Sequence, residues 1–499
     1  MAEGRVFIIG IDGGSWDVML PLVESGHMPR FRDLISASSW GTLLSTIPYI
    51  TCPAWNCLVS GKNPGWIGAF GFLNLEPSSY SLSFYDYRAD PEVPEIWDIL
   101  GERGITSGVV NLPVARNPRP VRGYMIPGFL ADDRNYRTYP ESVRLLLEGA
   151  CGGYEIEPRG FSIMEPEKTV RECIRIMEKR FKAIKTLIDE RPTDLFFGVF
   201  HLVDRVCHNV INRTGLPLDD QDRLGAAAVS FFEKLDVYIG TLVEDCVKAK
   251  DMLVIASDHG FAPSNDGFLL NSWLIKEGYL DVNPLRGLSR LGINQRRIAG
   301  VLDRISLLKP AIRLTPRFLR KIVPEGSGSG AHVSVVDLIQ SGKVDWASTL
   351  AVALPNHGIY LNTSDRPQGA VGVGSERDSL IEEMRKKLLD WEDPETGQKP
   401  VAKVSRREEL YSGPRVEKAP DLVVETMKGW ETHAMLSRSG ELSLPVSRAD
   451  HRREGIFLLR GPGIRERGGG EACIEDITPT VLDFMGINPT SAMDGKSLL

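Results

Sequence analysis

The chain has 499 residues, of which 42% are hydrophobic and 25% charged, with a formal net charge of −7. That length suits one large α/β domain with insertions or two to three ordinary domains, and the composition excludes collagen-like, coiled-coil and wholly disordered chains. The acidic balance excludes bulk attraction to polyanions, so no sequence-specific nucleic acid is expected as a partner.

Val6 to Ile11 is a continuous apolar run closed by Asp12-Gly13-Gly14, the pattern of a strand buried on both faces that ends in a loop. The same pattern recurs at Thr106–Asn111, Asp194–Phe200, Met252–Ala256, Asp421–Val424 and Gly455–Leu459. Helix-like stretches lie between them, at Pro91–Arg103, Glu167–Glu190, Asp220–Lys248 and Ser375–Trp391. This alternation predicts an α/β fold, with a central, mostly parallel sheet sandwiched by helices. In such sheets functional side chains collect beyond the carboxyl ends of the strands.

The stretch from Pro284 to Val323 carries ten basic residues, Arg286 and Arg290 among them, against the single acid Asp303, with Leu and Ile interleaved at roughly helical spacing. It reads as a helical insertion with a cationic face, as a lid over an anionic substrate, or as a surface resting on acidic lipid. Gly326 to Gly330 (GSGSG) would then be a flexible joint. The expected division is a catalytic core over 1–265 and 345–499 with a basic helical insertion over 266–344. Seven scattered cysteines without CxxC pairs read as reduced thiols. No apolar run reaches the length of a membrane span, and the run after Met-Ala-Glu-Gly is too short for a secretory leader. The expected location is the cytoplasm.

Four stretches place Asp and His where predicted strands begin or end: Asp12; Asp204-Arg-Val-Cys-His208; Ser257-Asp258-His259-Gly260; and Ala449-Asp450-His451. Singly, each is an ordinary cap, turn or packing residue. Together they hold three of the eight histidines in the chain, and their N and O donors make two ligand sets for divalent ions, zinc by preference with manganese the other candidate. Two such ions suit displacement at phosphorus. A nucleophile is expected at a helix start, where backbone N–H groups also hold an anion. Thr51-Cys52-Pro53 supplies one, with Pro53 in the first turn and Gly61 as the stop; Thr51 is otherwise simply the cap, and Cys52 is a rival nucleophile without a paired base.

The ordered set of strand-Asp12-Gly-Gly, Thr51-Cys-Pro-Ala-Trp followed by Ser-Gly-Lys-Asn-Pro-Gly, Asp204 with His208, Ser-Asp258-His259-Gly and His451 resembles the alkaline phosphatase superfamily. Its type I phosphodiesterase/nucleotide pyrophosphatase branch is the most similar. The stretches Ile474–Ile487 and Met493–Leu499 resemble that superfamily's closing helix and tail. The resemblance implies that Asp12, Asp258, His259 and Thr51 Oγ hold one ion and Asp204, His208 and His451 the second. It further implies that Thr51 attacks phosphorus to form a phospho-threonine intermediate that water then hydrolyses. By the same resemblance the Cys52 N–H faces the phosphoryl oxygens, and Asn74 lies near the place of a substrate-binding Asn, out of register by a residue or two. A phosphate-ester small molecule or a nucleotide is the implied substrate.

Sulfatases share the framework but need Cys-x-Pro-x-Arg, which is absent here. Cofactor-independent phosphoglycerate mutases carry a Ser nucleophile and a domain inserted elsewhere. Phosphomonoesterases add cations for the extra phosphate oxygens, for which Arg205, Lys62 and the basic segment are available. A non-catalytic binding protein would show a substituted ligand position, and every matched position is filled.

Overall fold

The computed structural model describes residues 4–76, 78–85, 87, 90, 92–131, 135–158, 165–282, 332–489 and 493–499. An eight-stranded sheet forms the centre. Its strands are β1 (Val6–Ile11), β2 (Ser39–Leu44), β5 (Ser107–Leu112), β6 (Gly123–Pro127), β7 (Leu195–Phe200), β8 (Met252–Ala256), β18 (Glu454–Arg460) and β19 (Arg467–Cys473), in the spatial order β19-β2-β18-β8-β1-β7-β5-β6. β1 runs parallel to β7 and β8, with Val6 opposite Leu195 on one side and Met252 on the other. Only β18 is antiparallel to its neighbours β8 and β2. The predicted α/β class with a mostly parallel central sheet is therefore what the chain adopts.

Helices cover both faces, which is why β1 is apolar throughout. Phe7, Ile9 and Ile11 pack under the helices Pro166–Glu190, Leu202–Thr214 and Arg223–Cys246, while Val6 and Ile8 face Trp55, Leu58 and the C-terminal helix Ile477–Phe484. Each such fully buried aliphatic side chain contributes about 1.5–3 kcal/mol. The helix Thr51–Ser60 lies so close to β1 that a Cβ at Gly10 would meet the Trp55 ring at 2.5 Å, so glycine there sets how near that helix can sit.

Smaller sheets stand beyond the carboxyl edge. The ribbon β3 (Leu73–Leu75) and β4 (Leu82–Phe84) is antiparallel. β9 (Gly260–Leu269) pairs with β15 (Trp430–His433) and β17 (Ser443–Arg452). β10 (His332–Ser334) pairs with β16 (Met435–Ser437). β11 (Ala351–Leu354), β12 (Gly358–Leu361), β14 (Leu422–Thr426) and β13 (Val401–Arg406) form an antiparallel sheet in that order. The predicted strand at Asp421–Val424 thus belongs to this separate sheet as β14: its apolar run is buried against the helix Ser375–Asp390, and a buried run alone does not name its sheet. Leu270 and Trp273, in the helix Leu270–Glu277, share that hydrophobic cluster with Leu354, Met384 and Leu422. The basic segment 284–323 and the joint 326–330 lie outside the described residues.

Candidate active site

The carboxyl ends of the adjacent strands β7, β1 and β8 open at one edge of the sheet, and because β18 is antiparallel its amino end opens there too. Asp12 directly follows β1. Asp204 and His208 sit one turn apart on the helix that follows β7, the same-face placement their spacing predicts. Asp258 and His259 follow β8, and His451 lies at the end of β17, just before β18. Four segments distant in sequence are thereby brought to one place by topology alone.

They form two groups, Asp12, Asp258 and His259, and Asp204, His208 and His451; within each, one ligand atom per residue lies within 4.8 Å of the others. In the first, His259 Nε2 lies 3.3 Å from Asp258 Oδ2 and 3.8 Å from Asp12 Oδ1. In the second, Asp204 Oδ1 is 3.4 Å from His208 Nε2 and 3.3 Å from His451 Nε2. The His259 and His451 rings stack at 3.6 Å, so the two groups are neighbours. The Phe261 ring makes a T-shaped contact with all three imidazoles. Gly13, with φ at +70°, turns the chain after Asp12 and lets its N–H donate to Asp258 Oδ1 at 3.0 Å; a Cβ there would meet the Phe261 ring at 2.5 Å.

Both groups fit cations. Each histidine sets its Nδ1 against a backbone carbonyl: His259 on Gly260 (3.2 Å), His208 on Ala449 (3.2 Å) and His451 on Tyr49 (3.3 Å). Nδ1–H donation there turns Nε2 toward the carboxylates as the ligand atom in all three. His208 Nε2 and His451 Nε2 lie 3.1 Å apart and both approach Asp204 Oδ1, three ligand atoms converging as they would around one cation. Asp12 Oδ1, Asp258 Oδ2 and Asp204 Oδ1 are buried and accept no hydrogen bond from any described residue, as carboxylate oxygens reserved for a metal would be. Electrostatics divides the groups. Burial, together with the charges of Asp258 and Asp204, pushes the Asp12 carboxyl well up; burial and Asp204 push Asp258 up to about 8. Burial also pushes Asp204 up, but His208, His451 and Arg205 outweigh it and hold this carboxyl well below the usual range. Burial, helped by the His451 charge, holds His259 low.

Thr51 is the first residue of its helix, whose cap is Ile50, so the Thr51 hydroxyl is not spent on capping. It is 6% exposed and lies 3.4 Å from His259 Nε2, beside the first group. Gly61, left-handed at φ +69°, stops the helix as its sequence predicts, and the C-terminal segment clasps this helix through Thr478 Oγ1 donating to the Leu58 carbonyl at 2.6 Å. Cys52 is fully buried and its thiol is pushed up by burial, the opposite of an activated nucleophile. Asn74 sits on β3 paired with Ser83.

Sequence reasoning passed over a network behind Asp204. Arg205 Nη1 donates to Asp204 Oδ2 at 3.1 Å and Arg205 Nε to Glu157 Oε2 at 3.2 Å, with the guanidinium 4.4 Å over the Phe129 ring. His201 bonds Glu157 Oε1 through Nε2 (3.0 Å) and Arg180 Nη1 through Nδ1 (2.8 Å). No motif marks Glu157 or Phe129; the only signal was the arginine beside Asp204. A cleft of about 700 Å³, lined by Tyr49, Phe261, Lys403, Glu425 and Arg452, opens alongside the site.

Comparison with solved structures finds the same fold in phosphonoacetate hydrolase from Sinorhizobium meliloti 1021 (16% identity, 96% of this chain and 94% of that one, TM-score 0.56). It is found also in murine ectonucleotide pyrophosphatase/phosphodiesterase 5 (14%, 99% and 97%, TM-score 0.51) and in alkaline phosphatase PafA (13%, 100% and 99%, TM-score 0.55). No curated protein sequence matches the chain. No described helix is long and apolar enough to cross a membrane. Residues 6–455 match the sequence profile of type I phosphodiesterase/nucleotide pyrophosphatase. The chain belongs to the type I phosphodiesterase/nucleotide pyrophosphatase family of phosphoric ester hydrolases.

Proposed function

We propose that this protein hydrolyses a phosphodiester or pyrophosphate bond with Thr51 as nucleophile, in a site where Asp12, Asp258, His259 and Thr51 hold one divalent ion and Asp204, His208 and His451 a second. The observation that carries the reading is the convergence of three imidazole Nε2 atoms with three buried carboxylate oxygens that accept no hydrogen bond from any described residue, beside the Thr51 hydroxyl. Ions there, zinc by donor type with manganese the alternative, would acidify a hydroxyl and offset charge on the phosphoryl oxygens. Thr51 Oγ attacks phosphorus, the bond to the leaving oxygen breaks, and the departing group takes the cleft beside Tyr49 and Phe261. Water then cleaves the phosphoryl–threonine ester and restores the hydroxyl. The Cys52 N–H, in the first turn of the helix, donates to a non-bridging oxygen; Asn74 is a further proposed contact. The murine relative crystallised with AMP is an inactive variant in which a threonine is replaced by alanine, which supports both a threonine at the centre and a nucleotide-like substrate.

The charge around the site favours a diester over a monoester. Lys62 rests over the Trp66 ring at 3.9 Å, past the far end of the Thr51–Ser60 helix, and Arg205 is matched by Asp204 and Glu157. Neither brings surplus positive charge for a dianion. The segment 266–344 is proposed as an insertion whose basic stretch 284–323 covers an anionic substrate or rests on an acidic membrane surface. Deleting 284–323 should abolish sedimentation with acidic vesicles, and unchanged sedimentation removes the membrane reading. A cytoplasmic setting is the proposed location, and the seven free thiols are compatible with it. The test of function is metal content together with hydrolysis of p-nitrophenyl diester and monoester. Two ions per chain with diester preference support the reading, two ions with monoester preference move it to a phosphomonoesterase, and no turnover after loading with zinc or manganese overturns it.

A further inference from the structure

Arg205 is held on three sides. Glu157 takes Nε, Asp204 takes Nη1, and Phe129 covers one face, while Nη2 makes no hydrogen bond to any described residue and 21% of the side chain stays open. Such fixing is more than an arginine needs to neutralise one carboxylate; it orients a planar donor. Glu157 is itself fixed from behind. Arg180 can only donate, so His201 Nδ1 accepts from it and His201 Nε2–H must donate to Glu157 Oε1. Arg180 is buried and clamped on the Glu155 and Ile156 carbonyls. Burial alone would raise Glu157, but His201, Arg205 and Arg180 hold it down to about 2, so it is ionised beside Arg205 at neutral pH.

We propose that Arg205 donates to a non-bridging oxygen of the substrate's phosphoryl group, and that Glu157, by matching the charge of Arg205, sets the preference for a singly charged phosphodiester over a doubly charged phosphomonoester. This rests on the hydrolase reading above. Asp204 puts Arg205 within one residue of the second ligand group, and Arg205 also acts electrostatically on Asp12 of the first, so a phosphoryl group bracketed by both groups lies within its field. A donor whose charge is already balanced gives direction without rewarding a second negative charge.

The test uses the full-length, metal-loaded protein with inorganic phosphate as binding probe and p-nitrophenyl mono- and diesters as substrates. Arg205→Ala should weaken phosphate binding about tenfold at unchanged metal content. Glu157→Gln should tighten phosphate binding and raise the monoester-to-diester ratio of kcat/KM about fivefold, and this gain should vanish in the Arg205→Ala background. Should Glu157→Gln fail to fold, Arg205→Lys carries the test: it keeps the charge but loses the planar fork, and should bind phosphate more weakly than wild type. The proposal is overturned if Arg205→Ala loses an ion yet binds phosphate normally once metal is saturating, if Arg205→Lys binds like wild type, or if the Glu157→Gln gain is absent or survives without Arg205. Because phosphate affinity is read directly, a wild-type protein that binds phosphate through Arg205 but turns over neither ester contradicts the hydrolase reading and not this one.

Discussion

The two ligand groups are built from the same residue types and differ in how their charge is held. Asp12, Asp258 and His259 are wholly buried; burial pushes both carboxyls up, helped by Asp258 and Asp204 at Asp12 and by Asp204 at Asp258, and among the described residues no Lys or Arg pairs with either. Asp204, His208 and His451 are more open, and Arg205 sits on the carboxylate. The first group can be fully ionised only around a metal; the second carries part of its own compensation. The first site should therefore be the more dependent on its ion, and the second the more tolerant of losing one ligand.

The most damaging change to this contrast is Asp258→Asn. It should remove about one ion per chain and lower kcat/KM by about a thousandfold or more, read by metal analysis and diester hydrolysis. Full metal content would dissolve the distinction between the groups. Thr51→Ala should cost as much turnover while keeping the fold and both ions; substantial residual turnover would mean that another group attacks. His451→Ala should weaken only the second ion and lower turnover by roughly tenfold to a hundredfold, as loss of one ligand does, with the fold intact by circular dichroism. Unchanged metal affinity would remove His451 from the ligand set.

A pH series sharpens the contrast further. Asp258 has its carboxyl raised in the metal-free fold to about 8, against an ordinary value of 3.8. Between those values the folded chain binds more protons than the unfolded one, so this group makes the metal-free protein less stable as pH rises. Metal restores the ionised form. The difference in Tm between metal-loaded and metal-free protein should grow from pH 5 to pH 8, and a flat difference would contradict the assignment. The smallest effect belongs to Cys52→Ala, which should change turnover by less than about threefold, because a buried thiol pushed up by its surroundings takes no part.

The two ligand groups were legible in the sequence and the network behind Asp204 was not. Asp12, Asp258-His259 and the Asp204–His208 pair stand directly after apolar strand runs, so strand grammar placed them at one sheet edge; His451 was found because it precedes another such run. The antiparallel sense of β18, which brings His451 to that edge, has no local signal. Nor did Asp421–Val424 reveal its own sheet, since a run buried on both faces reads alike in any sheet. Arg205 was visible as a neighbour of Asp204, but Glu157, His201 and Arg180 meet it only through the tertiary fold, from a loop, a strand end and a helix far apart in the chain. Pairings of that kind leave no spacing to read.

The central claim is that Thr51 carries the phosphoryl group. The direct measurement is mass analysis of peptides from a metal-loaded reaction with bis(p-nitrophenyl) phosphate, quenched within the first turnovers. A p-nitrophenylphosphoryl group is expected on Thr51, disappearing as product forms and absent from Thr51→Ala. An adduct on another residue, or turnover with no adduct at any quench time, would contradict it.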